Sequence, residues 1–312
     1  MDATRRLALF LPDPGNDFVA AIAADAEQAC QRHGFTLSVA SSNNQAVEQI
    51  QQIFAALRAE KPERPDAILV MPIHDQSLER VARFALGQGI PWVCLHRATG
   101  DLPALRSEFP DVALTLVGPE QEECGRIQGR QVLAMFPQGA RALYVHGRAD
   151  NQSTKQRAAG LRQIIEGSSI QLGESIDGNW STADTELAVG RWLKLLIAHT
   201  QVDVVVCQND AMAVGALRAL REAARGLDRP DLAALPVIGC DGLPQVGRKL
   251  VDAGDLAATV VLPMPASPAI EAVSKALNGG GLPPTHIRLQ PQTYPPALAA
   301  RVRTAPAPGR AS

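Results

Sequence analysis

The chain has 312 residues, enough for two domains of ordinary size, and 46% of them are hydrophobic, so a full buried core is expected. The formal net charge is −2 without a basic excess, which argues against a dedicated nucleic-acid surface. No stretch reaches the roughly 20 consecutive apolar residues that span a bilayer, so the chain is not expected to insert into a membrane.

The first predicted element bears on where the protein works. Arg5 and Arg6 precede a short apolar run, residues 7–11, which Pro12 then ends. This run is shorter than the apolar region of a secretory signal, and it predicts a buried strand. The sequence as written therefore predicts a cytoplasmic protein. The alternative is a periplasmic protein whose start codon is mis-assigned, so that a signal peptide is hidden.

Short apolar runs continue along the chain and alternate with helical patterns. They lack polar alternation, which is typical of strands in a parallel sheet that is buried on both faces. The predicted strands are 7–11, 35–40, 67–71, 92–95, 113–117, 142–146, 170–176, 202–207, 236–239, 257–262 and 287–290. Repeated strand–helix–strand units predict a doubly wound fold, and this many strands predicts two sheets. We expect a first crossing between the two sheets near Gly118.

Cysteines and histidines show no pattern typical of a metal site or a disulfide framework. The cysteines are odd in number and widely spaced, without a C-x-x-C motif, and are predicted to be buried thiols. They are Cys30, Cys94, Cys124, Cys207 and Cys240. The sequence therefore predicts no metal and no cofactor.

Polar side chains follow most of the predicted strands, where ligands bind in open α/β sheets. They are mainly Asn, Asp and Arg, with one or two aromatic residues. Each sugar hydroxyl both donates and accepts a hydrogen bond, so planar polar groups can engage neighbouring hydroxyls in pairs. This pattern predicts a small polar ligand, such as a sugar. The alternative for any single Asn or Asp after a strand is a turn or helix cap.

Four segments of the chain closely resemble a known family. Residues 206–220, residues 237–242 with 254–259, and residues 90–97 resemble the type I periplasmic sugar-binding proteins, which include the ribose-binding proteins. Their fold is shared by the ligand domains of lactose-repressor-type regulators. The resemblance runs from about Arg6 to about Tyr294. It implies an α/β fold of two doubly wound, Rossmann-like lobes with parallel sheets and a three-strand hinge.

The resemblance also implies how the chain is divided between the lobes. The first lobe would hold residues 1–118 and 263–284, and the second would hold residues 119–262 and 285–296. Residues 297–312 lack apolar periodicity and are predicted to be a disordered tail. A ligand between the lobes would touch both and favour the closed state of the hinge.

Matching the family's sugar contacts one by one gives a set of candidate ligand-binding residues. They are Asn16, Phe18, Met71, His96, Arg97, Arg157, Trp180, Asn209 and Asp241. Trp180 takes the place of a phenylalanine. Val19, Met71, His96 and Cys240 replace side chains that would fit a ribose site. The resemblance therefore implies a ligand other than ribose, with fewer hydroxyls or a more apolar part.

These observations predict a binding protein for a monosaccharide or related polyol. It would serve either a sugar transport system, with the permease of an ABC transporter as partner, or a cytoplasmic sensor with a signalling partner. The alternative is an enzyme that acts on a small carbohydrate-like substrate. No motif of a nucleophile with its base is present, and Cys240 beside Asp241, with His96, is the one pairing that could be catalytic. The sequence therefore predicts that the protein is not an enzyme.

Overall fold

The computed structural model describes residues 4–13, 15–74, 77–196 and 201–304. Contacts within the chain divide it into two compact units. Unit 1 comprises residues 1–119 and 263–289, and unit 2 comprises residues 120–262 and 290–312. Of the helices in the described residues, none has the length and apolar character that crossing a membrane requires.

Each predicted strand run overlaps a strand in the structure. The strands are β1 (Arg6–Leu11), β2 (Thr36–Ser41), β3 (Ala67–Val70), β4 (Trp92–Leu95), β5 (Leu114–Pro119), β6 (Ala140–His146), β7 (Ile170–Asp177), β8 (Val204–Cys207), β9 (Val237–Ile238), β10 (Thr259–Val261), β11 (His286–Leu289) and β12 (Gln292–Tyr294). Of these, β12 was not predicted, because its short polar run carries no strand pattern.

Helices connect the strands, so that β and α elements alternate through most of the chain. The helices are α1 (Asp17–His33), α2 (Ala46–Arg58), α3 (Glu79–Gly87), α4 (Leu102–Glu108), α5 (Gln121–Met135), α6 (Gln152–Ile165), α7 (Thr182–Leu196), α8 (Asp210–Gly226), α9 (Pro230–Ala233), α10 (Lys249–Asp252), α11 (Ala266–Leu277) and α12 (Pro296–Thr304). A π-helical turn, Pro244–Arg248, leads directly into α10.

Unit 1 is built on a six-stranded parallel sheet in the order β11-β5-β4-β3-β1-β2. Successive side chains of a strand point to opposite faces, so each face needs its own cover. On one face, Phe10, Val70 and Trp92 form a core with apolar residues of α2 and α3. Helix α11 packs against β4, β5 and α1. Because all six strands are parallel, their carboxyl ends meet at one edge of this sheet.

Unit 2 is built on a four-stranded parallel sheet in the order β7-β6-β8-β9, with β10 and β12 as a separate antiparallel pair. Strand β8 shows how both faces are covered. Val205 and Cys207 pack with residues of α7 and α8, while Val204 and Val206 pack with residues of α5 and α6. Parallel sheets with helices on their faces confirm the predicted α/β, doubly wound fold class.

Two details of the predicted lobe division are wrong. Residues 285–296 were assigned to the second lobe, but β11 pairs in parallel with β5 of unit 1, and only the later part, with β12, lies in unit 2. The predicted disordered tail, 297–312, begins within α12, whose Leu298 is buried in the core cluster that faces α5 and α6. The remainder of that tail, 305–312, lies outside the described residues.

Candidate functional site

The unit 1 candidates lie at the carboxyl edge of the six-stranded sheet. Phe18 begins α1 after β1, Met71 follows β3, and His96 and Arg97 follow β4. The rings of Phe18 and His96 are in edge-on contact, with centroids 5.2 Å apart and an interplanar angle of 62°. Met71 and His96 are buried, whereas Arg97 is half-buried. The structure therefore brings Phe18 and His96 together at this edge.

Asn16 caps α1 and still has hydrogen bonds to give. Its Oδ1 accepts hydrogen bonds from the backbone amides of Phe18, at 3.0 Å, and Val19, at 3.2 Å. Asparagine is among the preferred residues at this position because it satisfies these helix-end donors. Both of these bonds use Oδ1, so the Nδ2 group takes no part in the cap. The cap and the ligand contact therefore use different atoms of one side chain.

The turn after β4 holds His96 in a left-handed backbone conformation, with φ of 67°. Such a conformation costs a non-glycine residue about 1–3 kcal/mol and is concentrated at functional sites. Backbone hydrogen bonds from His96 to Val117, 2.8 Å, and from Arg97 to Leu95, 2.7 Å, fix the turn. Gly118 allows it, because a Cβ there would lie 2.8 Å from the Cα of His96. These contacts hold His96 in a strained backbone conformation and so fix the positions of His96 and Arg97.

Gln49 supports the loop after β3, and the sequence analysis missed it. Its side chain is completely buried on α2. The Nε2 group donates to the carbonyl of Met71, 3.0 Å, and Oε1 accepts from the amide of Ile73, 3.1 Å. A Nη1 group of Arg97 reaches the carbonyl of Ile73 at 3.5 Å. The sequence could have indicated Gln49, because it is a polar residue on the apolar face of the amphipathic helix α2.

The unit 2 candidates surround a buried guanidinium. Arg157 on α6 has 1% of its surface exposed. Its Nε donates to Oε1 of Gln121 at 2.8 Å, and Nη1 donates to the carbonyl of Gln208. Burial opposes its charge, but Cys240, Cys124 and Asp241, which can each carry negative charge, raise the pKa of Arg157 above its ordinary value. Arg157 is therefore a fixed cation in the interior.

The close approach of α5 and α6 positions this arginine. A Cβ at Gly125 of α5 would lie 1.9 Å from the carbonyl oxygen of Arg157. A Cβ at Gly160 of α6 would lie 2.0 Å from the carbonyl oxygen of Glu122. Reciprocal glycines at these positions let the two helix backbones touch. A side chain at either site would push Arg157 away from Gln208.

Trp180 lies in a strained loop after β7. Asn179 and Trp180 have φ angles of 52° and 60°, which side chains rarely adopt. The loop is held by hydrogen bonds from Asn179 to Asp177 and Asp184, each 2.8 Å, at its amide and its Nδ2. The guanidinium of Arg157 lies 5.5 Å from the centroid of the Trp180 ring, a cation–π arrangement.

Asn209 links Trp180 to the start of α8. It is 4% exposed, and its Oδ1 caps the helix by accepting from the amide of Met212 at 2.8 Å. Its Nδ2 lies 3.4 Å from the carbonyl of Trp180. Asn209 is therefore a helix cap, as the alternative interpretation of such residues holds. One hydrogen of its side-chain amide is still left for a ligand.

Asp241 follows β9 and is 8% exposed, with a φ of 126°. Burial raises the pKa of its carboxyl well above the usual range, with Cys240 and Asp210 adding to this effect and Arg157 opposing it. Its backbone is fixed by hydrogen bonds with the β10 strand, from its own amide to Val260, 2.9 Å, and from Leu262 to its carbonyl, 3.0 Å. The backbone of Asp241 is thus strained but fixed, and it holds the carboxyl near the guanidinium of Arg157.

A second buried carboxylate, Asp210, ties the Asp241 loop to α8, and the sequence analysis did not select it. Its carboxylate accepts from Oγ1 of Thr259 and from the amide of Gly242, both at 2.7 Å. Burial raises the pKa of Asp210 to about 6, against these hydrogen bonds. A Cβ at Gly239 would lie 2.1 Å from the same carboxylate. Asp210 is therefore a structural clamp behind the candidate site.

Cys240 does not have the properties of a catalytic nucleophile. It is completely buried, and its thiol contacts Cys124 on α5. Burial raises the pKa of the Cys240 thiol well above its ordinary value, so the reactive thiolate is disfavoured. Among the described residues, no group of three or more His, Cys, Asp or Glu side chains is arranged to hold a metal ion.

Known proteins resemble the chain over most of its length. A family model of the periplasmic binding protein domain matches residues 7–280. The ribose import binding protein of Salmonella typhimurium is 26% identical over 278 residues, 88% of this chain and 85% of that protein. The xylitol-binding protein of Mycolicibacterium smegmatis is 26% identical over 220 residues, 70% of this chain and 56% of that protein.

A solved structure shows the same fold. The Caulobacter myo-inositol binding protein, bound to myo-inositol, matches with a TM-score of 0.81 at 22% identity, over 98% of this chain and 99% of that one. These relatives are binding proteins, which confirms the prediction of a binding protein over an enzyme. They also confirm the resemblance on which the candidate residues rest. The chain belongs to the family of periplasmic binding protein domains.

Proposed function

We propose that the chain binds a monosaccharide or related polyol through the strand-end side chains of its two units. The relatives support this class of ligand, since their names specify ribose and xylitol. The contributing side chains are Asn16, Phe18, Met71, His96, Arg97, Arg157, Trp180, Asn209 and Asp241.

The carboxyl of Asp241 is the observation that carries the proposal. It is 8% exposed, and its pKa is governed by burial and by nearby charges. Hydroxyls of a polyol supply hydrogen-bond donors, and a carboxylate can accept from two of them at once. Burial raises the pKa of Asp241 and Arg157 opposes that rise, and the carboxyl can accept from a hydroxyl in either form.

The residues that depart from the ribose pattern support a ligand with a more apolar part. Val19 and Met71 are buried apolar side chains at the unit 1 edge. His96 replaces a bidentate acceptor with a ring that accepts at most one hydrogen bond when neutral. Fewer hydroxyls can therefore be satisfied at this edge than in a ribose site, and we propose a polyol other than ribose as the preferred ligand.

A thermal-shift screen over pentoses, hexoses and polyols tests the proposal. A ligand at about 100 times its dissociation constant adds about 2.7 kcal/mol of stability. Nucleosides and small aromatic compounds serve as controls, for which we expect no stabilisation. Stabilisation by a control compound and by no sugar or polyol would overturn the proposed ligand class.

The partner of the ligand-bound protein is a separate part of the proposal. We favour a solute-binding component that delivers its ligand to the permease of an ABC transporter, because the ribose relative is an import protein. The family name favours the periplasm over the cytoplasmic location predicted above. The alternative is a ligand sensor with a cytoplasmic signalling partner. Fractionation of the native cells decides between these two, since recovery from the cytoplasm would contradict the transport role.

A further inference from the structure

Cys124 and Cys240 are two thiols in contact within unit 2. Cys124 lies in the first turn of α5, and Cys240 follows β9, directly before Asp241. Both side chains are completely buried, and the thiol of Cys240 is hydrogen-bonded to the sulfur of Cys124. Because a disulfide requires two cysteines whose side chains meet, this pair is a candidate crosslink.

Separate hydrogen bonds hold the backbones on both sides of this contact. Gln128 lies one helical turn after Cys124, on the same face of α5. Its Nε2 donates to the carbonyl of Gly239, the neighbour of Cys240, at 3.0 Å. The carbonyl of Cys240 accepts from the amide of Asp210 at 2.6 Å. The sulfur atoms therefore lie side by side because helix and loop are fixed against each other.

The surroundings of the pair also favour the reactive form of cysteine. The hydrogen bond from Cys240 lowers the pKa of the Cys124 thiol, and the charge of Arg157 adds to this effect, against burial. The thiolate is the form that reacts in thiol–disulfide exchange. By contrast, burial raises the pKa of Cys30 to about 11 and also raises that of Cys94. The native fold therefore favours one pairing among the five cysteines.

We propose that Cys124 and Cys240 form a disulfide when the chain folds in the presence of a low-molecular-weight disulfide. One of the two thiols loses its proton, attacks a sulfur of the external disulfide and expels the other half as a thiolate, which is protonated. The second cysteine then loses its proton, attacks the sulfur of the first and expels the remaining thiolate, which is protonated in turn. The pair loses two electrons, and the external disulfide is reduced to two thiols.

Burial determines when this exchange occurs and what the bond achieves. A completely buried sulfur is out of reach of an external disulfide, so the exchange takes place before unit 2 has finished folding. The completed bond is then protected from external reductants. It joins α5 to the loop that carries Asp241, and a crosslink that closes a loop of about 100 residues stabilises the folded state.

Refolding in a glutathione buffer tests the proposal. The chain is unfolded in urea with a reductant, refolded with an excess of oxidised glutathione, and treated with a thiol-alkylating reagent. Mass spectrometry of its peptides should show Cys124 joined to Cys240. Cys124→Ala and Cys240→Ala should each abolish this crosslink. Cys30→Ala is the matched control, since it removes a buried cysteine from unit 1 and should leave the crosslink in place.

Thermal unfolding measures what the crosslink contributes. The oxidised wild type should unfold at a temperature at least about 5 °C above that of the reduced wild type. Cys30→Ala should show the same difference. Cys124→Ala and Cys240→Ala should unfold at the same temperature in oxidising and reducing buffer, because neither can form the bond.

The wild-type chain alone can overturn the inference, even if a variant fails to fold. The inference is wrong if all five thiols of the oxidatively refolded chain are alkylated, or if the disulfide joins other cysteines. Equal unfolding temperatures of the oxidised and reduced wild type would contradict the stabilising role. None of these measurements involves a sugar or polyol, so their outcome is independent of the proposed function.

Discussion

The two units present different chemistry at the carboxyl edges of similar parallel sheets. The edge of unit 1 is largely apolar and aromatic, with Phe18, Met71 and His96 buried and Arg97 half-buried. The edge of unit 2 contains three almost completely buried ionisable residues: Arg157, Asp210 and Asp241. Buried charges are costly unless they are paired and hydrogen-bonded. The edge of unit 2 is therefore the one whose buried polar groups suit hydroxyls, whereas the edge of unit 1 offers mainly apolar and aromatic contact.

The largest expected effect is the loss of stability when the buried cation is removed. Arg157→Ala should lower the free energy of unfolding by about 3 kcal/mol, because it removes a completely buried side chain that donates hydrogen bonds to Gln121 and Gln208. Arg97→Ala, the matched change in unit 1, should cost about 1 kcal/mol, because that side chain is half-buried. Urea unfolding of both variants measures the difference. Equal losses would contradict the contrast drawn between the two edges.

A pH dependence of stability is expected from Asp210, a buried carboxyl of unit 2. The pKa of Asp210 is raised from 3.8 to about 6 by burial. The folded chain therefore holds this proton more tightly than the unfolded chain, and stability falls as the pH rises from about 4 to about 6. The fall due to Asp210 is at most about 3 kcal/mol. Burial raises the pKa of Asp241 in the same direction, so its contribution adds to the fall.

The substitution Asp210→Asn isolates that contribution. Its side chain does not titrate, so the fall in stability between pH 4 and 6 should become shallower than in the wild type. Chemical unfolding at a series of pH values measures it. A wild-type stability that rises through this range, or an unchanged slope in Asp210→Asn, would show that Asp210 is not the group responsible.

A smaller effect is expected when the Trp180 ring is displaced. Gly147→Ala places a Cβ 1.9 Å from the ring, so the ring must move. Affinity for the best ligand should fall about tenfold, which corresponds to about 1.4 kcal/mol. Gly190→Ala on α7 is the control, because nothing lies within 4 Å of its added Cβ. Calorimetric titration would contradict this account of the unit 2 edge if both variants bound equally well.

The smallest effect is expected for Asn16, where one substitution distinguishes its role as the cap of α1 from a role in ligand binding. Asn16→Asp keeps the cap of α1, since Asp and Asn cap about equally well, and removes the Nδ2 donors. We expect a stability change under about 0.5 kcal/mol and a few-fold loss of affinity. Asp101→Asn, the reverse change at the cap of α4 in the same unit, should leave affinity unchanged. If affinity is unchanged in Asn16→Asp, Asn16 is a cap alone.

The sequence was sufficient to predict the sheets, because apolar runs of parallel strands are easily recognised. It did not reveal which sheet a run joins, so β11 was assigned to the wrong lobe. Helix α12 was missed because its Ala- and Pro-rich sequence has no clear apolar period, although Leu298 is buried.

The candidate site was predicted from strand ends and resemblance, and most of those residues follow strands, whereas Arg157 lies within α6. The residues behind them were not found, because their role depends on hydrogen bonds between distant parts of the chain. Gln49 fixes the loop after β3, and Asp210 holds the loop after β9 to α8. Polar side chains of this kind have no sequence signature until their burial is known. The assignment of ligand contacts to the strand-end residues stays a prediction.

The central claim, that the buried edge of unit 2 binds a polyol, is tested most directly by titrating the best ligand into Asp241→Asn. The substitution preserves shape but turns an acceptor-only carboxylate into an amide, which cannot accept from two hydroxyls with both of its terminal atoms. Asp228→Asn is the matched control, an exposed aspartate with positive φ in the same unit. The account predicts at least tenfold weaker binding to Asp241→Asn and wild-type binding to Asp228→Asn. Wild-type affinity in Asp241→Asn would contradict it.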